Sequence, residues 1–356
     1  MKKVIAIVLS VMMLLGCGAL SVCAEDSQTS GELKIVNYYV DGLPIPSGMS
    51  SSGRNVPAAT VEIARQIKAE KANLVGVQED FEYHALLQTG LNLLDATYTN
   101  GGTGTGSGVN LFSSYKLYNV GRAEWNDAYG VFDAGSDELT PKGIVYATIE
   151  LAPGAYVDVY NCHVDAFDDP GSTQAKRSQY AQLKALVDSH SQGHAVIVMG
   201  DMNVYFTMES GQVLRDTFIP AGFKETWVEC ENDGNYNYTY SEVYPKYNVP
   251  QWGNWDSAEK IFYRDSDSVK FTAVSNEYRT LKDADGKNLS DHAAEIAVLS
   301  YTALTQSDSS DNLRENKFDI GYLIASFFTN LYDTLVRIFK ELPNLISGKV
   351  SIDFIK

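Results

Sequence analysis

Two short segments of this chain carry groups that could hold a hard cation and move protons. The first is Ala195-Val196-Ile197-Val198-Met199-Gly200-Asp201-Met202-Asn203, an apolar run that delivers an aspartate and an asparagine two positions apart where a strand would end in a glycine turn. The second is Ser290-Asp291-His292, placed directly before another strand-like run, Ala293 to Ser300. Carboxylate, carboxamide and imidazole at strand ends are what a site needs to bind a divalent metal by oxygen and to transfer protons. Together the two segments point to a metal-dependent hydrolase.

Further candidates sit at similar places. Glu79 follows Leu74-Val75-Gly76-Val77-Gln78 and Asn37 ends Leu33-Lys34-Ile35-Val36. Glu79 alone reads equally as a surface turn glutamate, but beside the other motifs it is a direct oxygen ligand for Mg²⁺, which takes one or two protein carboxylates and keeps several waters. On Asn161-Cys162-His163, strand alternation puts Asn161 and His163 on one face and Cys162 on the other. His163 and His292 are two of only five histidines, and flanking by Asn and Asp favours catalysis over a structural role. No Cys/His cluster has zinc-ligand spacing.

The elements that must position these groups alternate. Strands are expected at Leu33–Asn37, Leu74–Gln78, Ile144–Leu151, Val157–His163, Ala195–Met199, Lys260–Tyr263 and Ala293–Leu299. Helices are expected at Ala58–Glu70, where Pro57 suits the first turn, and at Thr173–Ser189, with Tyr180, Leu183, Leu186 and Val187 at helical spacing. This organisation makes 33–300 one α/β catalytic domain. Residues 1–24 read as an export signal, with Lys2 and Lys3 before an apolar run. Cleavage after Ala24 gives a secreted protein, and a lipobox reading of Leu14-Leu15-Gly16-Cys17 gives a cell-surface one. Residues 25–32 and 301–316 are polar linkers, and 317–356 form an amphipathic helical tail. The segment 318–342 either lies in a membrane interface or packs back on the domain. The glycine-rich stretch Gly101–Gly108 lacks the lysine and helix of a phosphate loop, so it reads as a turn.

The formal net charge is −17. Loss of 1–24 removes Lys2 and Lys3 and makes it −19, with 26 basic against 45 acidic residues. Such a surface repels polyanions and argues against broad nucleic-acid binding, though a bound metal would supply local positive charge. Cys162 and Cys230, left after cleavage, form either one disulfide or two thiols.

With Asn37, Gln78-Glu79, Asn161-Cys162-His163, Gly200-Asp201-Met202-Asn203 and Ser290-Asp291-His292 in this order, the chain resembles the endonuclease/exonuclease/phosphatase superfamily over roughly residues 33–300. That superfamily includes pancreatic-type deoxyribonucleases, inositol-polyphosphate 5-phosphatases and bacterial sphingomyelinases. Leu139-Thr140-Pro141-Lys142-Gly143 and Val157 to Ala166 are similar to elements of the sphingomyelinase-like branch. The resemblance implies a four-layer α/β sandwich, two facing mixed sheets flanked by helices. It implies Mg²⁺, with Mn²⁺ or Ca²⁺ as alternatives, held by Glu79 and, through water, Asn37. His292 oriented by Asp291 would be the base, Asp201 and Asn203 would position water and phosphate, and His163 would donate to the phosphoryl oxygens. Lys142 and Asn161 would bind substrate. One position departs from the family: the Asp expected before an Ile-Phe strand is Glu259, so Glu259 or Asp256 would orient His163. The substrate implied is a phosphodiester, a phospholipid headgroup first and nucleic acid second, hydrolysed by a monomer. A deoxyribonuclease is the rival reading, and would gather Lys176, Arg177 and Arg264 at its cleft. A non-catalytic binding module is the remote one.

Overall fold

The computed structural model describes residues 28–44, 54–237, 256–306 and 313–350. The export segment, with Cys17 and Cys23, lies outside them. In chain order the strands are β1 (Gln28–Tyr39), β2 (Leu74–Gln78), β3 (Asp95–Ala96), β4 (Asn110–Ser113), β5 (Tyr118–Glu124) and β6 (Gly143–Ala152). They continue as β7 (Ala155–His163), β8 (Ala195–Asp201), β9 (Lys224–Glu225), β10 (Glu259–Arg264), β11 (Val269–Arg279) and β12 (Ala294–Leu304). The helices are α1 (Val56–Ala69), α2 (His84–Leu91), α3 (Pro170–His190), α4 (Gln212–Phe218), α5 (Thr226–Glu231) and α6 (Ile320–Ile346).

The strands form two six-stranded mixed sheets, ordered β11-β12-β1-β2-β4-β3 and β5-β6-β7-β8-β10-β9. Their facing sides share one apolar core, with Leu33, Ile35 and Leu111 from the first sheet against Val145, Val159 and Ile197 from the second. A second core packs α1 and α2 on the outer face of the first sheet. A third packs α3 and α4 on the outer face of the second. This is the expected four-layer sandwich. Burial on both sides explains why β2 and β8 read as nearly continuous apolar runs rather than alternating ones. Each crossover helix starts on a cap the sequence supplies: Asn55 accepts from the Ala58 amide and Asp169 from the Gly171 and Ser172 amides, each with proline in the first turn.

The domain limits differ from the expected 33–300. β1 begins at Gln28 and pairs antiparallel with β12 out to Leu304. The first residues of β1 are polar and exposed, so the backbone ladder with β12 rather than apolar alternation holds them. Cys162 and Cys230 are both free thiols.

At one end of the inter-sheet core, apolar side chains give way to three fully buried amides. Gln78 Nε2 donates to Asn37 Oδ1 at 2.9 Å and to Asn161 Oδ1 at 2.6 Å. Asn37 Nδ2 donates across to the Gly200 carbonyl at 2.9 Å, and Asn161 Nδ2 donates back to the Val77 and Asn110 carbonyls at 2.9 and 2.8 Å. Asn161 was expected to bind substrate. Its exposure is 0% and its carboxamide is committed to other protein groups, so it stitches the two sheets instead. Gly76 lets the sheets approach here, since a Cβ at that position would lie 2.4 Å from Met199 Sδ and 3.1 Å from Asn161 Cγ.

Replacing Asn161 by Ala strands the Gln78 amide and two strand carbonyls in a dry setting, at about 1–3 kcal/mol for each group left unsatisfied. The expected outcome is a clear drop in thermal midpoint, read by calorimetry. An unchanged midpoint would remove the amides from any structural role.

Candidate active site

Glu79, His163, Asp201 and Glu259 project from residues within two positions of a group tied into this amide cluster. Glu79 follows Gln78, and its left-handed backbone (φ 57°) turns the chain out of β2. Its carbonyl accepts from the Gly42 amide at 3.1 Å, and the Asp80 amide donates to the Gly108 carbonyl at 2.8 Å, which fixes that turn. His163 ends β7, Asp201 ends β8 and Glu259 begins β10, directly opposite Asp201 in the ladder. Ser290 ties the last motif to the end of β1: its hydroxyl donates to the Tyr39 carbonyl at 2.7 Å and accepts from the His292 amide at 3.1 Å.

His292 is held by Glu259. Its Nδ1 meets Glu259 Oε1 in a short hydrogen-bonded ion pair, and the other carboxylate oxygen of Glu259 accepts from Ser257. This corrects two expectations. Asp291 does not orient His292: it is exposed, and its charge acts on His292 less than those of Glu259 and Asp201 do, while also acting on Glu79 and Asp41. Neither Glu259 nor Asp256 orients His163: Glu259 serves His292, while Asp256 is an ion-pair partner of the fully buried Lys260. The reason lies in the strand ladder. Facing positions on β8 and β10 put Glu259 beside Asp201, within reach of the turn that carries His292.

The two histidines have opposite electrostatics. Burial by itself would lower the pKa of His292, but the facing Glu259 carboxylate outweighs it and raises the pKa well above the usual value. His163 is pushed well below it by burial, helped by the positive charges of Lys142 and His292. Asp201 lies between them, with Oδ2 at 3.6 Å from His163 Nε2 and 3.9 Å from His292 Nδ1. Burial lifts its pKa to about 6. Its Oδ1 accepts from the Asn203 amide at 2.9 Å, and Asn203 Nδ2 donates to the Val164 carbonyl at 2.7 Å.

Lys142 Nζ is 3.3 Å from His163 Nε2 and forms an ion pair with the buried Asp137. An ammonium only donates, so this contact uses Nε2 of a neutral imidazole as acceptor. Burial alone would lower the pKa of Lys142, but Asp137 and Glu79 raise it, so it stays charged. Lys142 therefore stays charged here beside a His163 that is held neutral.

Three participants escaped the sequence. The Tyr39 ring stacks on His292 with centroids 4.3 Å apart and meets His163 edge-on at 5.6 Å. Its hydroxyl bonds the Glu79 carboxyl. Alternation from Asn37 would have placed Tyr39 on the same face. Asp41, paired with Arg54, lies two residues past the end of β1 on a left-handed backbone (φ 49°), beyond the reach of alternation. Asp137 lies in a 3₁₀ turn, Ala134–Leu139, which no periodic pattern marks.

Glu79 carries the clearest sign of a missing positive partner. Its Oε2 is buried without a hydrogen-bond partner among the described residues. Burial, with Asp41 and Asp291 nearby, raises its pKa to about 7 against the pull of Lys142. A buried carboxylate oxygen without a partner, in a negative field, fits a divalent cation. Asn37 was expected to help from the side, yet its carboxamide is committed to Gln78, Gly200 and Lys260, so it positions the turn. Asp201, Glu259 and His292 also present ligand atoms within 4.8 Å of one another. Two of those atoms are already paired with each other, which suits proton handling better than a cation cage.

Residues 40–267 match the Endonuclease/Exonuclease/phosphatase family. The chain is 30% identical over 285 residues to the sphingomyelinases of Mycobacterium tuberculosis and Mycobacterium bovis, covering 77% of this chain and 54% of theirs. It thus spans about half the length of these relatives. Among solved structures, D. rerio TDP2 complexed with single-strand DNA product superposes with a TM-score of 0.55 at 14% identity, over 76% of this chain and 99% of that one. A beta toxin mutant from Staphylococcus aureus with bound magnesium ions gives 0.52 at 16% identity, over 75% and 99%. At these identities the structures share the fold.

Two predictions follow from the electrostatics. In metal-free protein, Glu79→Gln removes a buried carboxyl that only the Tyr39 hydroxyl bonds from beside Asp41 and Asp291, so the thermal midpoint should hold or rise near neutral pH; a marked fall would show that the bond to Tyr39 outweighs the repulsion. The second concerns His292, which must lose its proton to act as a base. The acid limb of the rate–pH profile should lie above the unperturbed value of about 6.5. Glu259→Gln withdraws the charge that holds the proton, so the limb should move to lower pH while turnover falls. A limb that stays in place would separate Glu259 from the base.

Proposed function

The chain belongs to the Endonuclease/Exonuclease/phosphatase family, in its sphingomyelinase-like branch, and from that premise we propose that it hydrolyses a phosphodiester by direct attack of water. The observation that carries this reading is that Tyr39 joins the two halves of the site: its ring stacks on His292, which Glu259 holds, and its hydroxyl meets Glu79, whose Oε2 has no partner among the described residues. One half can handle a proton and the other can hold positive charge.

Glu79 would hold the cation, Mg²⁺ first with Mn²⁺ or Ca²⁺ as alternatives, within the field of Asp41 and Asp291. When bound, such an ion supplies the Lewis-acid charge that polarises a phosphoryl oxygen. The protein's own groups do the rest. Glu259 occupies Nδ1 of His292 and leaves Nε2 to take the proton from the attacking water. Glu259 also fixes the ring plane and stabilises the imidazolium that forms. Asp201, between the histidines and held by the Asn203 turn, orients the water. Lys142, kept charged by Asp137, faces the oxygens on which charge accumulates. His163, neutral and buried, lines the pocket beside it and orders Lys142. No covalent intermediate is required.

A phospholipid headgroup is the preferred substrate, presented at a lipid surface that the segment 318–342 contacts, with the enzyme acting as an exported monomer. The similarity to sphingomyelinases supports this over a nuclease, and so does the charge of −17. Two of the cations a nuclease cleft would gather are already engaged. Lys176 is buried and pairs with Asp168 at 2.7 Å, and Arg264 lies 3.5 Å from Asp188.

The deciding experiment assays the full-length protein with Mg²⁺ on sphingomyelin, lysophosphatidylcholine, single-stranded DNA and an inositol phosphate in parallel, with and without EDTA. Turnover of a choline phospholipid, lost in EDTA, is expected. A preference for DNA would move the enzyme to the nuclease reading, and full activity in EDTA would sink the cation.

A further inference from the structure

Helix α6 lies on the catalytic domain with its polar side inward. A surface helix of a globular protein normally turns its apolar stripe to the core. Here Asn330 is the helix's one buried residue among those described, and Nδ2 donates to the Thr105 carbonyl at 2.8 Å. Thr334 Oγ1 donates to the Gly104 carbonyl at 2.9 Å, and Arg337 Nη1 to the Glu138 carbonyl at 2.6 Å. The opposite side carries the apolar residues: Phe328 is 65% exposed, Tyr332 67%, Phe339 68% and Ile346 78%, with Ile324 and Leu335 between them. A continuous apolar stripe facing water calls for an occupant.

Three features select a lipid surface. No helix among the described residues is long and apolar enough to cross a membrane, so an interfacial position along the helix is the one available. The stripe is rich in phenylalanine and tyrosine, whose rings suit the boundary between headgroups and acyl chains. A second copy of a chain carrying −17 would be repelled at long range, whereas a neutral bilayer would not repel it.

The seat of the helix also matters. Glu138, gripped by Arg337, adjoins Asp137, which holds Lys142. Gly104 and Thr105 belong to the loop that runs to Gly108, whose carbonyl accepts from the Asp80 amide at 2.8 Å and where an added Cβ would lie 3.1 Å from Glu79 Cα. Hence α6 spans the two loops that flank the proposed site.

We propose that α6 is a lipid-docking strap: its outward face enters the interface of a neutral bilayer, and its inward face clamps the Lys142 and Glu79 loops, so that docking orders the site. The second half of this proposal rests on the phosphodiesterase reading; the first does not. The test uses vesicles of digalactosyldiacylglycerol, which contain no phosphorus, and the small soluble diester bis(4-nitrophenyl) phosphate. Full-length protein should co-sediment with the vesicles, and they should raise its turnover of the soluble diester by roughly tenfold. Phe328→Asp with Phe339→Asp, both at exposed positions, should leave vesicle-free turnover and the thermal midpoint unchanged while abolishing co-sedimentation and stimulation. Arg337→Ala should still co-sediment but lose the stimulation.

Equal co-sedimentation of wild type and the double variant overturns the lipid face. So does a wild-type dimer in sedimentation velocity that the double variant dissociates, because a second copy then covers the stripe. Stimulation that survives Arg337→Ala overturns the clamp. If no diester is turned over while vesicle binding depends on Phe328 and Phe339, the hydrolase reading fails and the lipid face stands.

Discussion

The site depends on the hydrogen-bonded contact between Gln78 and the two asparagines Asn37 and Asn161. Two sheets packed on an apolar core can slide, because dispersion contacts are non-directional. Three buried amides with defined donors and acceptors cannot, since each displaced bond leaves a group unsatisfied in a low-dielectric setting. Five of the site's groups are chain neighbours of this lock. Tyr39 lies two residues beyond Asn37, Glu79 one beyond Gln78 and His163 two beyond Asn161. The Gly200 and Lys260 carbonyls, both accepting from Asn37, are adjacent to Asp201 and Glu259. Fixing the interior partners therefore fixes the reactive side chains to within a residue's reach.

The same geometry sorts charges within a strongly acidic protein. Glu259 keeps its charge despite burial because His292 faces it, whereas Glu79, near Asp41 and Asp291, is driven toward the neutral form. His292 is held positive and His163 neutral, although they flank the same tyrosine ring. Pairs of like groups pushed apart by their surroundings are how one site keeps distinct acid and base members at a single pH. Tyr39 is the partition between the two environments, stacked on one imidazole and edge-on to the other.

Much of this was legible in the sequence because strand ends and apolar runs are local signals. β2 has the boundaries expected of Leu74–Gln78, and the four-layer sandwich suggested by the ordered motifs is the fold observed. Pairings across the chain were not legible. Adjacency suggested Asp291 for His292, but the two lie in a bend before β12 that leaves Asp291 exposed, and the partner of His292 is 33 positions away. Asn161 was expected to face substrate because alternation identifies a shared face without saying whether that face is open or covered. The short strands β3 and β4 and the 3₁₀ turn with Asp137 carry too few residues for a period to emerge.

The orientation of α6 shows a further limit on periodicity. Ile324, Phe328, Leu335 and Phe339 define a stripe, and a stripe alone suggests burial against the domain. What decides the orientation is the surface beneath. The glycine-rich loop and the turn at Glu138 present backbone carbonyls to the helix, and a carbonyl needs a donor. Asn330, Thr334 and Arg337 are spaced to deliver donors along one side of a helix. Once they face inward, helical geometry sends the apolar stripe outward. The loops' lack of covering side chains, rather than any preference of the helix, leaves the apolar face in the open.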